Sequence, residues 1–275
     1  MRSIGWTLVN AGQALFLAGW SVVWISIALL VSIFSSELPL WLARHAWAPG
    51  LAWAAMAKLE RAQGATLVRG KPYVVVMNHQ SMFDIVTAFA LVPVNLRFVA
   101  KAVLKYVPFL GWYMWRTRMI FVDRANRVQA IGRLMRAGEQ VRRGAVVLAY
   151  AEGTRSHTGA IMPFKKGPFM LAVQAQVPVV PLAIEGAARV LPAGGFRLRP
   201  GTVRLRIGEP IATAGLALGD VESLMKRVRD ALIDLHVSIG GLGGDKETCI
   251  ALPGEHGVGR GATLAPPSES DAGAA

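Results

Sequence analysis

The sequence is poor in cysteine and in acidic residues. Cys249 is the only cysteine among the 275 residues, so the chain cannot form an internal disulfide. This excludes a small disulfide-stapled secreted scaffold and favours a reducing, cytosolic environment. Aspartate and glutamate number 17 against 30 lysines and arginines, which gives a net charge of +13. Such a balance suits an anionic partner, either nucleic acid or a membrane surface with phosphorylated substrates.

Beyond Arg2, the start of the chain has no charged residue for more than thirty positions. Residues 3–36 carry no formally charged side chain, and residues 15–34 form one apolar run. Twenty helical residues rise about 30 Å, roughly one hydrocarbon thickness, so we expect this run to insert into a membrane. A cleaved signal peptide is the alternative, but its apolar core would be too long and no convincing cleavage site follows. With no recognisable nucleic-acid-binding module in the chain, the membrane is the expected partner.

Residues 38–56 form a second apolar stretch, which is broken by charged and helix-breaking residues. Three tryptophans lie in it, Trp41, Trp47 and Trp53. Indole rings favour the headgroup level of a bilayer, so the stretch is predicted to be an interfacial or re-entrant helix. A core helix of the soluble domain is the alternative. Residues 1–57 are therefore expected to form a membrane helix followed by an interfacial helix.

From residue 58 the composition becomes that of a globular domain. Short apolar runs alternate with amphipathic stretches, which predicts an α/β domain with a central, mostly parallel sheet flanked by helices. Six or seven strands are expected, one of them a short strand at 67–68, and residues 58–238 are predicted to form the catalytic domain. Residues 239–275 are rich in Gly, Pro, Ser and Ala and are predicted to form a disordered tail.

The most informative stretch is YVVVMNHQSMFD at residues 73–84. A β-branched run ends at His79, and Ser81 with Asp84 has the spacing of a capping box at a helix start. A histidine this close to the Asp84 carboxylate has the arrangement of a general base and its orienting group. The alternative is an ordinary helix cap, with His79 as a loop residue. Ser81 is a weaker candidate for a nucleophile because capping uses its oxygen and no G-x-S-x-G elbow surrounds it.

Three further blocks follow in order: residues 111–124, Glu-Gly-Thr-Arg-Ser at 152–156 and Val-Pro-Val-Val-Pro at 177–181. Together with the His79 motif they resemble the four motifs of the glycerophospholipid acyltransferases, and most of all the 1-acyl-sn-glycerol-3-phosphate acyltransferases among them. The likeness covers about residues 58–235. One departure is Ala151, where the family usually has proline.

The resemblance implies acyl transfer from acyl-CoA or acyl-carrier protein to the sn-2 hydroxyl of a lysophospholipid, without a metal or cofactor. His79 would take the hydroxyl proton, and Asp84 would fix the imidazole tautomer and stabilise its cation. The alkoxide would attack the thioester directly, with no acyl-enzyme.

The acceptor's phosphate needs cations and exposed N–H groups. Arg155 offers a planar fork, Gly153 lets the backbone approach and Thr154 adds a hydroxyl. The family's second motif places Lys105 as a further cation. Glu152 would repel a phosphate, so it is expected to hold Arg155 or another basic group.

Two alternatives to this function remain open: another acceptor, or a protein with no catalytic activity. The same site could act on a lyso-ornithine lipid or on glycerol 3-phosphate. A non-catalytic membrane-surface binder is a different class of protein, but it would not need His79 paired with Asp84.

Four further cations are either substrate contacts or a basic face toward anionic lipid: Arg118, Arg124, Lys165 and Lys166. The basic face is favoured for the two lysines. We expect the protein at the inner cell membrane, with its catalytic domain on the cytoplasmic side.

Overall fold

The computed structural model describes residues 2–123 and 127–247, and a seven-stranded sheet lies at its centre. The strand order is β1-β7-β6-β2-β5-β3-β4, and every neighbouring pair is parallel except β6 and β7. The strands are β1 (Ala57–Arg61), β2 (Tyr73–Met77), β3 (Leu96–Lys101), β4 (Ile120–Val122), β5 (Val146–Tyr150), β6 (Val179–Glu185) and β7 (Gly201–Ile207). This confirms the predicted α/β fold with a mostly parallel sheet.

Helices cover both faces of the sheet. They are α1 (Arg2–Val31), α2 (Leu38–Leu42), α3 (Ala48–Ala54), α4 (Phe83–Leu91), α5 (Leu110–Arg116), α6 (Arg127–Arg142), α7 (Gly167–Ala175), α8 (Ala187–Val190) and α9 (Val221–Ser238). A π-helical turn, Ala43–Trp47, joins α2 to α3, and 3-10 turns cover Ala102–Tyr106 and Leu218–Asp220.

The protein has two hydrophobic cores, one on each face of the sheet, and strand β2 contributes to both. All five of its residues are buried; Tyr73, Val75 and Met77 belong to one core, while Val74 and Val76 belong to the other. The first core includes residues of α1, α2, α3 and α4, and the second includes residues of α6, α7 and α9. Successive strand residues point to opposite faces, and each fully buried valine contributes about 1.5–3 kcal/mol. A continuous apolar run is therefore what a central parallel strand requires.

Helix α1 lies along the catalytic domain over most of its length. Near its start Asn10 donates to the Leu198 carbonyl (3.2 Å), and in its middle Trp20 donates to the Trp47 carbonyl (3.1 Å). Residues 5–31 are long and apolar enough to cross a membrane by length and composition, and α1 is the one helix among the described residues of which this is true.

The structure differs from the sequence prediction at an edge of the sheet and after α9. Residues 67–68 are not a strand; the extra strand is β1, which pairs with β7 at the edge of the sheet. Residues 239–245, assigned to the tail, contact the domain: Gly243 accepts a hydrogen bond from the Ile161 N–H (2.8 Å). The tail from residue 248 onward lies outside the described residues, so its disorder stays a prediction.

Candidate active site

The candidate site lies at one edge of the sheet, where four neighbouring strands end. The His79 motif follows β2, and the Glu-Gly-Thr-Arg run follows β5, which pairs with β2 in parallel. Strands β3 and β6 end on either side of this pair. Because carboxyl ends of parallel strands meet at the same edge, motifs far apart in the sequence are brought together there.

His79 and Asp84 form the pair that the sequence predicts. His79 Nδ1 lies 2.7 Å from Asp84 Oδ2, and both side chains are buried. A carboxylate only accepts, so the imidazole donates its Nδ1–H. The neutral tautomer is therefore the one with Nε2 unprotonated, which is the form that can take a proton from a substrate.

Asp84 also holds the turn that leads into α4. Its Oδ2 accepts the backbone N–H groups of Gln80 (2.7 Å) and Ser81 (2.9 Å). Binding backbone N–H groups and orienting His79 were alternatives at the sequence level, and one carboxylate oxygen does both. The helix begins at Phe83, two residues later than the predicted start.

Ser81 is occupied as a structural residue. Its hydroxyl donates to the Leu191 carbonyl (2.6 Å) and accepts the Phe83 N–H (3.0 Å), and the residue is fully buried. A hydroxyl held at both its donor and acceptor positions is not free to act as a nucleophile.

Glu152 is not hydrogen-bonded to Arg155, the first of its expected partners; of the other basic groups, Arg229 lies close enough for its charge to lower the pKa of Glu152. Its carboxylate is buried and accepts two backbone N–H groups, from His79 (2.8 Å) and from Met162 (3.0 Å). Burial raises its pKa to about 8, with a further increase from the Asp84 charge, although the two N–H bonds act in the opposite direction. The spacing of residues in the sequence could not show that backbone groups of two other loops converge on this carboxylate.

Two residues that the sequence prediction missed fix the position of His79. Asn78 bridges to β6 with both amide atoms, accepting the Ile184 N–H (2.8 Å) and donating to the Ile184 carbonyl (2.9 Å). Tyr150 stacks on the imidazole, with ring centroids 3.8 Å apart and planes 17° apart. A polar residue directly after a buried strand was the signal for Asn78; nothing in the sequence indicated the stacking.

A buried polar cluster, formed by Gln80, Glu185 and His236, lies behind the His79 loop. Gln80 and His236 both contact Glu185 Oε2 at 3.0 Å, and His236 Nδ1 accepts the Gly243 N–H (3.2 Å). His236 therefore carries its proton on Nε2 and donates it to Glu185. Burial alone would raise the pKa of Glu185, but these hydrogen bonds outweigh it and lower the pKa below its ordinary value. The cluster ties the catalytic loop to α9.

An apolar cavity of about 610 Å³ extends from His79 into the protein. Its wall is made of side chains from α1, from the segment containing α2 and α3, from α4 and from α5; they include Ile25, Trp47, Phe89 and Tyr113. Thr154 and Arg155 line the same cavity as His79. The volume is that of a small-molecule pocket, and an apolar wall with a few polar groups at one place is its usual character.

The structure places Lys101 rather than Lys105 at the cavity. Both lysines are exposed, but only Lys101, the last residue of β3, is among the lining residues. Lys105 lies outside the lining, with its Nζ 4.6 Å from the centroid of the Tyr106 ring. Three residues lie between the two lysines; Lys101 precedes the 3-10 turn that follows the strand, and Lys105 is part of it.

The glycine and the remaining cations have the following positions. Gly153 has φ +77, a conformation that favours glycine, in the turn after β5. Lys166 pairs with Glu222, and Lys165 and Arg118 are exposed away from the cavity lining. Arg124 lies outside the described residues. Within the described part of the chain no group of three or more His, Cys, Asp or Glu side chains could hold a metal ion.

Comparisons with known proteins identify relatives that match this site region. Residues 59–185 match the family model described as Acyltransferase. The chain is 36% identical over 173 residues to the 1-acyl-sn-glycerol-3-phosphate acyltransferase of Saccharomyces cerevisiae, covering 62% of this chain and 57% of that protein. It is 34% identical over 194 residues to the 1-acyl-sn-glycerol-3-phosphate acyltransferase alpha of Mus musculus, covering 69% and 67%. The chain thus spans about three fifths to two thirds of these relatives.

A solved structure is similar over nearly its whole length. The crystal structure of the 1-acyl-sn-glycerophosphate acyltransferase from Thermotoga maritima aligns with a TM-score of 0.68 at 27% identity, over 84% of this chain and 97% of that one. The matched family model includes β2, β5 and β6, and therefore the His79 and Glu152 motifs. On the sequence identity to the mouse relative and this structural likeness, the chain belongs to the acyltransferase family.

Proposed function

We propose that this protein transfers a fatty acyl group from an acyl thioester to the sn-2 hydroxyl of 1-acyl-sn-glycerol 3-phosphate, giving phosphatidic acid. One observation carries the proposal: the 2.7 Å His79–Asp84 pair lies at an apolar cavity that Arg155 and Thr154 also line. A proton acceptor, a cation for a phosphate and space for an acyl chain thus occur together. The names of the yeast and mouse relatives support the choice of acceptor.

The chemistry needs a base that can return its proton. His79 Nε2 takes the proton of the sn-2 hydroxyl as its oxygen attacks the thioester carbonyl carbon, and Asp84 stabilises the imidazolium that forms. The C–S bond then breaks, and the leaving thiolate takes the proton from the imidazolium. No acyl-enzyme is required, in agreement with the occupied hydroxyl of Ser81.

The acceptor's phosphate is assigned to Arg155, with Lys101 in place of the predicted Lys105. Both line the cavity with His79: Lys101 ends β3, and Arg155 follows the neighbouring strand β5. Arg155 offers a bidentate contact and Lys101 a point charge. Glu152 acts as a positioning residue, because it holds the backbone of His79 rather than a substrate group.

The protein is proposed to work at the inner cell membrane, from its cytoplasmic side. Helix α1 makes contacts with the domain from Asn10 to Ser32, so a perpendicular crossing would draw domain surface into the hydrocarbon. Lying along one leaflet lets its exposed apolar side chains, such as Leu15 and Val23, face lipid. The net charge of +13 favours an anionic leaflet.

A reconstituted assay tests the proposal. Purified full-length protein is given acyl-CoA or acyl-carrier protein as donor and, side by side, 1-acyl-sn-glycerol 3-phosphate, glycerol 3-phosphate and a lyso-ornithine lipid. We expect the phosphate-bearing lyso-lipid to be used with the highest kcat/KM. Preference for either of the other acceptors would overturn the acceptor assignment, and no transfer to any of them would overturn the activity.

A further inference from the structure

The surface with most exposed aromatic side chains in the catalytic domain is residues 101–118, here called the aromatic segment. Among the described residues from 58 to 247, five aromatic side chains are exposed, and four lie in this segment: Tyr106, Phe109, Trp112 and Trp115. Val103 and Val107 are exposed beside them. An apolar patch this concentrated is rare on a soluble monomer and marks a place of contact.

The exposure of these side chains is built into the fold. Tyr113, Met114 and Gly111 are buried and anchor the segment, and a Cβ on Gly111 would lie 2.3 Å from the Lys105 carbonyl oxygen. Phe109 has φ +60, a strained conformation for a residue with a side chain. A tight backbone with buried anchors thus holds the aromatic rings outward.

The charges of the segment identify what it contacts. Residues 101–118 contain four basic and no acidic residues: Lys101, Lys105, Arg116 and Arg118. Trp and Tyr prefer the headgroup level of a bilayer, and each nearby cation adds about 1 kcal/mol of attraction to anionic lipid. Aromatic rings interleaved with cations are the complement of an anionic lipid surface.

The segment is continuous with the apolar end of α1. Arg116 donates to the Ser32 hydroxyl (3.1 Å), which fixes α5 against the end of α1. The neighbouring residues Leu30, Ile33 and Phe34 are 65%, 71% and 86% exposed. The two apolar surfaces therefore adjoin each other.

The inner side of the same segment faces the cavity. Lys101, Leu104, Leu110, Tyr113 and Met114 line the cavity that begins at His79. The segment is thus a wall with lipid-compatible side chains outside and the acyl cavity inside.

We propose that the aromatic segment is a second membrane-binding element, which inserts its aromatic side chains into an anionic lipid surface next to the cavity. It acts with the N-terminal helices and brings the cavity wall to the lipid that holds the acceptor. The inference deepens the proposed function and rests on it, since a lipid acceptor is what a cavity at the bilayer serves.

A site-specific probe tests the insertion without any substrate. Both variants are made in a Cys249→Ser background. Trp112→Cys carries an environment-sensitive dye, and Leu218→Cys carries the same dye as a control. The two native side chains are similarly exposed, Trp112 at 56% and Leu218 at 52%, but Leu218 lies near α9 on the other side of the sheet. With vesicles containing phosphatidylglycerol, we expect the dye at 112 to be quenched by nitroxide lipids and shielded from iodide, and the dye at 218 to show the reverse. Equal exposure of both dyes to iodide would overturn the proposal. So would shielding at 112 in the absence of vesicles, because a second copy of the chain would then cover the patch.

A kinetic comparison tests the consequence of insertion. The variant Tyr106→Ser/Trp112→Ser/Trp115→Ser removes aromatic groups that do not line the cavity. Losing their burial in lipid should raise the KM for acceptor in vesicles by roughly tenfold or more, with activity on detergent-dispersed acceptor little changed. An unchanged KM in vesicles would contradict the proposal. If acyl transfer itself is absent, the dye measurement still decides whether the segment inserts.

Discussion

At the scale of single residues, the titration of Glu152 is expected to make the free energy of unfolding depend on pH. Its folded-state pKa of about 8 lies above the ordinary value of 4.5, so the folded protein binds this proton more tightly than the unfolded chain does. The resulting stability is fully present below about pH 4.5 and is lost as the pH rises toward about 8. We expect wild type to lose up to several kcal/mol of unfolding free energy from this group between those values, and Glu152→Gln to lose less.

Denaturant unfolding of both proteins at pH 5 and pH 9 measures the difference. The quantity to compare is the change in unfolding free energy between the two pH values, not its absolute size. The amide introduced by Glu152→Gln presents its NH₂ group to one of the two backbone N–H donors and therefore lowers stability at every pH. Parallel pH dependence in the two proteins would show that the carboxylate titrates normally.

Arg155 separates binding of the phosphate from chemistry. Arg155→Ala removes one charge-assisted contact, so kcat/KM for 1-acyl-sn-glycerol 3-phosphate should fall by roughly tenfold to a hundredfold. An acceptor without phosphate should be nearly indifferent to the change. Lys105→Ala is the matched control, because that lysine is not in the cavity wall and should keep normal activity on detergent-dispersed acceptor. If kcat/KM falls equally with both acceptors, Arg155 either stabilises the fold or binds the thioester donor rather than the phosphate.

At the scale of elements, the segment after α9 supports the catalytic loop from behind. Gly243 donates to His236, and Arg229, which is buried, donates to the carbonyls of Ile161 (3.2 Å) and Asp245. Removing residues 240–275 should therefore lower the melting temperature by roughly 5–10 °C, from the loss of a few buried hydrogen bonds. Removing residues 248–275 alone should leave it unchanged, as their composition predicts. Identical melting curves for the two truncations would show that residues 240–247 contribute nothing.

Most elements could be predicted because their patterns are strong. The continuous β-branched run of β2 is what a strand buried on both faces requires, and the His79 motif follows it directly. Strand β1 was missed because Ala57–Arg61 is a mixed polar strand at the sheet edge. The sequence also could not show that Lys101 rather than Lys105 lines the cavity, because this depends on where β3 ends. The partners of Glu152 are backbone groups, which have no sequence signature at all.

At the scale of the whole molecule, the N-terminal segment is the proposed membrane anchor and also forms part of the cavity wall. Leu17, Ile25, Trp47 and Leu51 line the acyl cavity. Deleting residues 1–57 should therefore reduce acyl transfer to acceptor in detergent as well as in vesicles, and should also expose core surface. Activity in detergent close to that of the full chain would contradict a cavity built partly from α1 and α3, leaving these residues with an anchoring role only.

In the proposed reaction, His79, oriented by Asp84, takes the acceptor's proton. The most direct measurement is the single-turnover rate of acyl transfer by purified His79→Ala in detergent, beside wild type and with the melting curve of each. We predict a loss of at least about a hundredfold with a cooperative melt retained, since a general base contributes roughly 10²–10⁴-fold. A folded His79→Ala protein that transfers acyl groups at close to the wild-type rate would show that His79 is not the base.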